Sequence, residues 1–103
     1  MSDVNTIRVL QAEIRKWADT VFPHRTKESI LKKFDEELAE WREAPDDPLE
    51  YADLVILILD FASLCGIDVQ SAVREKIDIN YNRQWTINAQ GIMRHADHVL
   101  NQE

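Results

Sequence analysis

Residues that interrupt helices are scarce in this sequence: its 103 residues include two glycines and three prolines. Glycine weakens a helix through its backbone entropy, and proline does so through its missing amide hydrogen and its ring. Four of these residues separate stretches whose apolar side chains recur every three or four positions: Pro23, Pro45, Pro48 and Gly66. This periodicity is typical of amphipathic helices. We therefore expect long helices joined by short connections.

Four helical segments are predicted. Their expected bounds are about 3–21, 27–43, 48–65 and 69–85. Thr26 suits the N-cap of the second helix. Asp47 and Pro48 suit the cap and first turn of the third helix, which is apolar nearly all round, and Gly66 suits its end. Short connections favour antiparallel neighbours, so the expected fold is all-α, an antiparallel four-helix bundle.

One domain is expected over residues 1–103, with a helical core at about 3–86 and a loop or tail with at most one short helix at 87–103. A chain of this length buries a core without disulfides or a structural metal. The single Cys65 lies in an apolar run, which predicts a buried thiol in a reducing compartment.

The charge of the chain limits its partners. Its formal net charge of −7 argues against binding to a nucleic-acid polymer, because such surfaces depend on clustered Lys and Arg. The longest apolar run, 54–59, is far shorter than the roughly 20 residues of a membrane span. No secretory signal is recognisable at the N-terminus. A cytoplasmic protein that does not bind membranes is expected.

Acidic residues recur at helical spacing on the second and third helices. Glu37 and Glu40 share one face with Glu36 nearby, and Glu50 and Asp53 repeat the spacing. Like charges beside apolar stripes repel one another and are costly to desolvate. A divalent cation would relieve both effects, and Mg²⁺ and Mn²⁺ prefer oxygen ligands. The pattern therefore indicates a metal site between two facing helices.

Two other interpretations of these acids stay open from the spacing alone. Acids on Glu-rich helices often form a solvated face that binds no ion. Glu50 also lies three residues after Asp47, which is the spacing of a capping box.

The fourth helix carries polar residues at the spacing of one face. Lys76, Asn80 and Arg83 follow Val69 and Val73 at intervals of three and four. These side chains are candidates for contact with phosphate oxygens. An alternative is that Lys76 and Arg83 form salt bridges to the acids with no ligand involved.

The acidic motifs resemble those of a known superfamily. Glu36-Glu37-Leu38-Ala39-Glu40 followed by Glu50-Tyr51-Ala52-Asp53 resembles the EExxE…ExxD signature of the MazG-like all-α NTP pyrophosphatases. Segments 17–25, 44–53 and 80–85 also resemble the MazZ-type dATP/dGTP diphosphohydrolase branch, and the likeness covers about residues 10–95. The connection between Glu40 and Glu50, nine residues long, is shorter than usual in the wider superfamily.

The resemblance implies hydrolysis of nucleoside triphosphates between the α and β phosphates, with dATP and dGTP as the expected substrates. The products would be a nucleoside monophosphate and pyrophosphate. Mg²⁺ or Mn²⁺ would be held by Glu37, Glu40, Glu50 and Asp53. Glu36 would assist a further ion or the attacking water, so the catalytic residues are expected to be Glu36, Glu37 and Glu40.

The resemblance also has implications for substrate binding and assembly. Lys76 and Asn80 would contact phosphates with Arg83 beside them, and an aromatic wall would hold the base, with Trp17, Phe34 and Trp85 as candidates that are otherwise core residues. Relatives form dimers or tetramers, so a homo-oligomer is expected. The branch is associated with phages, so the expected location is the cytoplasm of a bacterial or phage-infected cell.

Three alternatives remain. A di-iron carboxylate protein would carry Glu-x-x-His pairs, but His24, His95 and His98 lie outside the acidic helices. A non-enzymatic helical interaction module would keep the acids without tight metal binding. A pyrophosphatase for other substrates, such as dCTP or dUTP, would share the acidic motifs and differ in the wall that contacts the base.

Overall fold

The computed structural model describes residues 6–96. The elements of this part of the chain are α1 (Ile7–Val21), α2 (Lys27–Glu43), α3 (Pro48–Leu64), α4 (Val69–Tyr81), β1 (Trp85–Ile87) and β2 (Met93–His95). Helices dominate, so the all-α prediction is confirmed. Residues 3–5, expected at the start of the first helix, lie outside the described range. None of the described helices has the length and apolar character needed to cross a membrane.

The starts of α2 and α3 follow from their capping residues. The Thr26 hydroxyl accepts a hydrogen bond from the Ser29 amide at 3.0 Å, and the Thr26 amide donates to the Ser29 hydroxyl at 2.9 Å. Asp47 accepts from the Leu49 amide at 3.0 Å, and Pro48 occupies the first turn of α3. These contacts satisfy amides that have no partner within the helix. Both predicted caps are confirmed.

The core lies where α3 packs against both α1 and α2. Ala18 of α1, Ile30 of α2, and Leu59 and Ala62 of α3 are buried, and the exposed fraction of each is at most 8%. Because α3 contacts a neighbour on each side, its position determines where the acids at its N-terminal end lie.

A buried amide joins α1 to the end of α3. The Gln11 Nε2 group donates to the Ile67 carbonyl at 2.8 Å and the Ser63 hydroxyl at 3.2 Å, and Gln11 Oε1 accepts from the Val69 amide at 3.1 Å. Gly66, with a φ of 71°, adopts the left-handed conformation that ends helices. The neutral Gln11 side chain therefore joins α1 to the corner between α3 and α4.

The chain divides into two compact units at the bond between Ala72 and Val73, which lies within α4. The first unit contains α1, α2, α3 and the start of α4. The second contains the rest of α4 and the two strands. One domain over residues 1–103 stays a prediction.

The second unit differs from the sequence-based expectation. α4 ends at Tyr81 rather than near Trp85, and residues 85–87 pair antiparallel with residues 93–95. In the turn between them, Asn88 Oδ1 accepts from the amides of Gln90 and Ile92, and Gly91 has a φ of 79°. The loop or short helix predicted after residue 86 is therefore wrong for this segment, because strand pairing satisfies its backbone. Residues 97–103 lie outside the described range.

The prediction of a buried thiol at Cys65 is also wrong. Cys65 is the C-terminal cap of α3 and is exposed. Its apolar neighbours in sequence belong to the last turns of α3, whereas the cap residue itself lies where the chain leaves the helix.

The hydrogen bonds of Gln11 lead to a prediction about stability. The substitution Gln11→Ala is expected to lower the free energy of unfolding by about 2 kcal/mol, because it removes the partners of partly buried backbone groups. Urea denaturation followed by circular dichroism would measure the change. Gln90→Ala, at an exposed position, is the control and is expected to change stability by less than about 0.5 kcal/mol. An equal effect of both substitutions would contradict the assigned role of Gln11.

Candidate active site

Three carboxylates from two helices converge in the first unit. Glu37 and Glu40 lie one turn apart on α2, and Glu50 lies in the first turn of α3. Each offers one oxygen, and these oxygens all lie within 4.8 Å of one another. Glu37 is buried, Glu50 is half-buried and Glu40 is exposed. The helical spacing and the contact between α2 and α3 together produce this cluster.

The crowding of the carboxylates shifts their pKa values. Burial, followed by the charges of Asp47, Asp53 and Glu37, raises the pKa of Glu50. The hydrogen bond between Glu37 and Glu40 raises the pKa of Glu40 and lowers that of Glu37, and the Lys33 ammonium lowers the pKa of Glu37 further. Protonation is therefore easier at Glu40 and Glu50 than at Glu37.

Two oxygens of this cluster lack a hydrogen-bond partner. Glu37 Oε2 and Glu50 Oε2 are shielded from solvent, and no donor within residues 6–96 contacts them. A buried acceptor without a partner is costly. Because all the converging ligands are carboxylate oxygens, the group that fits them is a hard divalent cation such as Mg²⁺ or Mn²⁺.

Asp53 lies beside the cluster and Glu36 does not join it. Asp53 is exposed but close enough to Glu37 to lower its pKa through a hydrogen bond. Glu36 is also exposed, and it is absent from the group of converging oxygens among the described residues. The structure therefore brings Glu37, Glu40 and Glu50 together, with Asp53 next to them.

The capping-box role considered for Glu50 does not occur. That role requires the Glu50 side chain to accept from the Asp47 amide. The Asp47 amide instead donates to the Ala44 carbonyl at 3.1 Å. The Glu50 carboxylate therefore remains available to a ligand.

Lys33 is a neighbour of the cluster that the sequence reasoning missed. Its ammonium nitrogen lies 3.1 Å from Glu37 Oε1. The spacing of Lys33 and Glu37 predicts this contact, because they are four residues apart on α2 and side chains at that spacing can form an ion pair. Lys33 therefore neutralises part of the buried charge of Glu37.

A cavity of about 660 Å³ opens beside these acids within the first unit. Its apolar wall includes Ile14, Trp17, Phe22, Ile30, Ile56 and Leu57. Glu37, Asp53 and Lys33 line it as well. Trp17 meets Phe22 edge to face with ring centroids 5.7 Å apart. A cavity of this size with a few polar groups is typical of a small-molecule site.

The predicted aromatic wall is thus present only in part within this unit. Trp17 lines the cavity with 52% of its surface exposed. Phe34 is half-buried on α2 and does not line it.

The remaining predicted substrate-binding residues lie in the second unit. Arg83 contacts the ring of His95 at 2.7 Å, and Trp85 Nε1 donates to the Asn80 carbonyl at 3.0 Å. Asn80 Oδ1 is shielded without a hydrogen-bond partner among the described residues. Lys76 also lies in the second unit, and the alternative of salt bridges from Lys76 and Arg83 to the acids stays open.

Comparison with solved structures assigns this helical fold to the class of MazG-like pyrophosphohydrolases. A Cyanophage S-2L MazG-like pyrophosphohydrolase, solved bound to dGDP and three catalytic Mn²⁺ ions per active site, is 43% identical, with a TM-score of 0.76. The match covers 87% of this chain and 91% of that one.

Sequence relatives identify the family within this class to which the chain belongs. A dATP/dGTP diphosphohydrolase of Cyanophage S-2L is 42% identical over 92 residues, which are 87% of this chain and 88% of the relative. A dATP/dGTP diphosphohydrolase of Salmonella phage PMBT28 is 43% identical over 92 residues. These residues are 88% of this chain and 32% of that longer protein. Residues 10–102 match the dATP/dGTP pyrophosphohydrolase family. This chain belongs to that family, and the predicted resemblance and enzyme class are confirmed.

The raised pKa of Glu50 predicts how stability depends on pH without metal. A carboxyl whose pKa is raised by folding stabilises the native state at low pH, and this contribution is lost as the pH rises through the folded-state value. In EDTA at pH 7, Glu50→Gln is therefore expected to raise the melting temperature. The variant should also lose part of the stability gain that the wild-type chain shows on acidification.

The same variant should respond weakly to metal. Mn²⁺ at a hundred times its Kd is expected to stabilise the wild-type chain by about 2.7 kcal/mol and to stabilise Glu50→Gln far less. Differential scanning calorimetry with and without Mn²⁺ would measure both effects. Glu43→Gln, at an exposed position of α2, is the matched control. Equal stabilisation of all three proteins by Mn²⁺ would rule out Glu50 as a ligand.

Proposed function

We propose that this chain hydrolyses purine deoxynucleoside triphosphates, dATP and dGTP, to the monophosphate and pyrophosphate. The observation that carries the proposal is the group of Glu37, Glu40 and Glu50 oxygens within 4.8 Å at the edge of a cavity. Membership of the dATP/dGTP pyrophosphohydrolase family supports the same substrates.

The proposed metal ligands are Glu37, Glu40, Glu50 and Asp53. Their oxygens fit Mg²⁺ or Mn²⁺, and two oxygens of the cluster have no other partner among the described residues. A bound divalent ion supplies charge neutralisation at the phosphates and lowers the pKa of a water molecule. The proposed catalytic residues are Glu36, Glu37 and Glu40, with Glu36 orienting the attacking water.

In the proposed reaction one phosphorus–oxygen bond forms and another breaks. Water oxygen attacks the α-phosphorus, and the bond from that phosphorus to the oxygen that bridges the α and β phosphates breaks. The water proton passes to a carboxylate, and pyrophosphate leaves with the bridging oxygen. No covalent intermediate on the protein is required.

The remaining proposals concern substrate contacts. Lys76, Asn80 and Arg83 are proposed to contact phosphates, and Trp17 and Trp85 to contact the base. Trp17 has support from the cavity it lines. For the second unit the support is the family match, which includes all four of its proposed residues.

A homo-oligomer, a dimer or tetramer, is proposed from a stripe on α3. Tyr51, Val55 and Ile58 follow one another at intervals of four and three, and their exposed fractions are 47%, 50% and 47%. Contiguous apolar surface on a helix is typical of an interface, and a second copy of the chain is the simplest partner. The enzyme is further proposed to act in the cytoplasm of a bacterial or phage-infected cell, where deoxynucleotide pools are found.

Product analysis would test the reaction. With Mn²⁺ or Mg²⁺ and a panel of NTPs and dNTPs, the expected products are monophosphate and pyrophosphate, with dATP and dGTP preferred. EDTA should abolish turnover. Glu37→Gln should lower kcat/KM by at least tenfold to a hundredfold, the rough range for residues that merely support a metal ligand. Glu43→Gln should keep wild-type turnover.

Other outcomes would separate the competing functions. Diphosphate and phosphate as products would contradict cleavage between the α and β phosphates. Preference for dCTP or dUTP would assign a different substrate within the same chemistry. Absence of turnover with every nucleotide would favour a non-enzymatic interaction module.

The exposed stripe on α3 predicts the effect of a charge on assembly. Val55→Glu is expected to reduce the molar mass toward that of a monomer, since it places a charge in the proposed interface. Light scattering coupled to size-exclusion chromatography would measure the mass. Lys16→Glu, at an exposed polar position of α1, is the control. A wild-type monomer, or an oligomer that Val55→Glu leaves intact, would contradict the proposed interface.

A further inference from the structure

A buried ion pair lies in the first unit away from the carboxylate cluster. Arg25 Nε donates to Asp60 Oδ2 at 2.6 Å, and Arg25 Nη2 donates to Asp60 Oδ1 at 2.7 Å. The exposed fractions of the two side chains are 9% and 6%. The sequence shows no local sign of this pair, because its members are 35 residues apart.

The pair is part of the cavity surface. Arg25 and Asp60 both line the cavity that Glu37 and Asp53 also line. A buried ion pair often contributes no more stability than apolar side chains of similar volume. Stability alone therefore gives a weak reason for two charges in a wall that is otherwise mostly apolar.

Both members of the pair have hydrogen-bonding capacity left over. Arginine has five N–H groups, and those of Arg25 meet Asp60 twice, Asp19 at 3.0 Å and the Phe22 carbonyl at 3.3 Å. One N–H on Nη1 is left without a partner among the described residues. Each Asp60 oxygen accepts one bond and keeps another lone pair. The pair therefore presents two acceptors and a donor.

The position of Asp60 along α3 fixes its distance from Asp53, which lies at the acidic end of the cavity. Asp53 and Asp60 are seven residues apart on this helix, which corresponds to about 10 Å along its axis. This length is close to that of an extended purine nucleotide from its phosphate to the far edge of its base. A nucleotide whose phosphates lie at the acidic end thus places its base edge near Asp60.

We propose that Asp60, held by Arg25, reads the guanine base of the substrate. The Arg25 fork takes the two facing lone pairs of the Asp60 carboxylate, and the outward lone pair of one oxygen accepts a hydrogen bond from the 2-amino group of guanine. The apolar wall with Trp17 packs against the ring faces, and a pyrimidine is too short to reach Asp60. This assignment rests on the proposed function, because it takes the acidic end of the cavity as the phosphate site.

Comparison of dGTP with dITP tests the assignment, since dITP lacks only the 2-amino group. The wild-type chain should prefer dGTP in kcat/KM by roughly tenfold to a hundredfold, the range for loss of one hydrogen bond to a charged group. Asp60→Asn should bring this ratio close to one, because the amide turns a donor toward the base. kcat with dITP should change far less than the ratio does.

Asp19→Asn is the matched control. Asp19 also contacts Arg25 at 3.0 Å, but its side chain is 52% exposed and does not line the cavity. This variant should keep the preference for dGTP. If circular dichroism shows that Asp60→Asn does not fold, the neutral pair Arg25→Gln with Asp60→Asn removes the unpaired charge and should lose the preference in the same way.

Binding measured without hydrolysis separates this proposal from the proposed function. Calorimetric titrations with dGMP and dIMP should show the same preference in the wild-type chain and its loss in Asp60→Asn. If the wild-type chain hydrolyses dGTP but does not prefer dGTP to dITP, the base-reading role is overturned and the proposed reaction stands. An unchanged preference for dGTP in Asp60→Asn would have the same meaning. Binding selectivity without turnover would instead overturn the proposed reaction and keep the base-reading role.

Discussion

The packing of α3 between α1 and α2 is the constraint on which the candidate site depends. Burial of Leu59 and Ala18 along this contact stabilises a helix whose N-terminal end brings Glu50 toward Glu37 and Glu40. Like charges at such distances repel, and the repulsion grows as water is removed. The apolar contact therefore offsets the repulsion among the carboxylates. An ion that binds the acids removes this repulsion and so stabilises the folded chain, as the core does.

The short connection between α2 and α3 fixes the register of the acids. The Tyr51 hydroxyl donates to the Pro45 carbonyl at 2.8 Å, and the Tyr51 ring meets Trp41 edge to face at 5.8 Å. These contacts hold the end of α2 against the first turn of α3. Glu50 then faces α2 because Asp47 and Pro48 begin the helix at the right residue. Local capping chemistry thus positions a group that acts across helices.

The parts of the fold that depend on local spacing could be predicted from the sequence. The cap at Thr26 and the convergence of Glu37 with its neighbours follow from helical periodicity and from the expectation that the acidic helices face each other. The partner of Asp60 could not be predicted, because Arg25 is distant in sequence and many arginines were available. The strand pair after α4 was missed for a similar reason, since short strands gain stability mainly from pairing and little from local preference.

The ties between distant parts of the first unit differ in how they respond to acid. Arg8 holds the Asp68 carboxylate at 2.8 Å and lowers its pKa, so this tie weakens as the pH falls through that lowered value. The Gln11 amide carries no charge and keeps its bonds to Ile67 and Val69. On acidification the ion pair between Arg8 and Asp68 is lost before the hydrogen bonds of Gln11. An acid-expanded form of this unit would therefore keep the Gln11 contacts at the corner between α3 and α4 after the ion pair between Arg8 and Asp68 has broken.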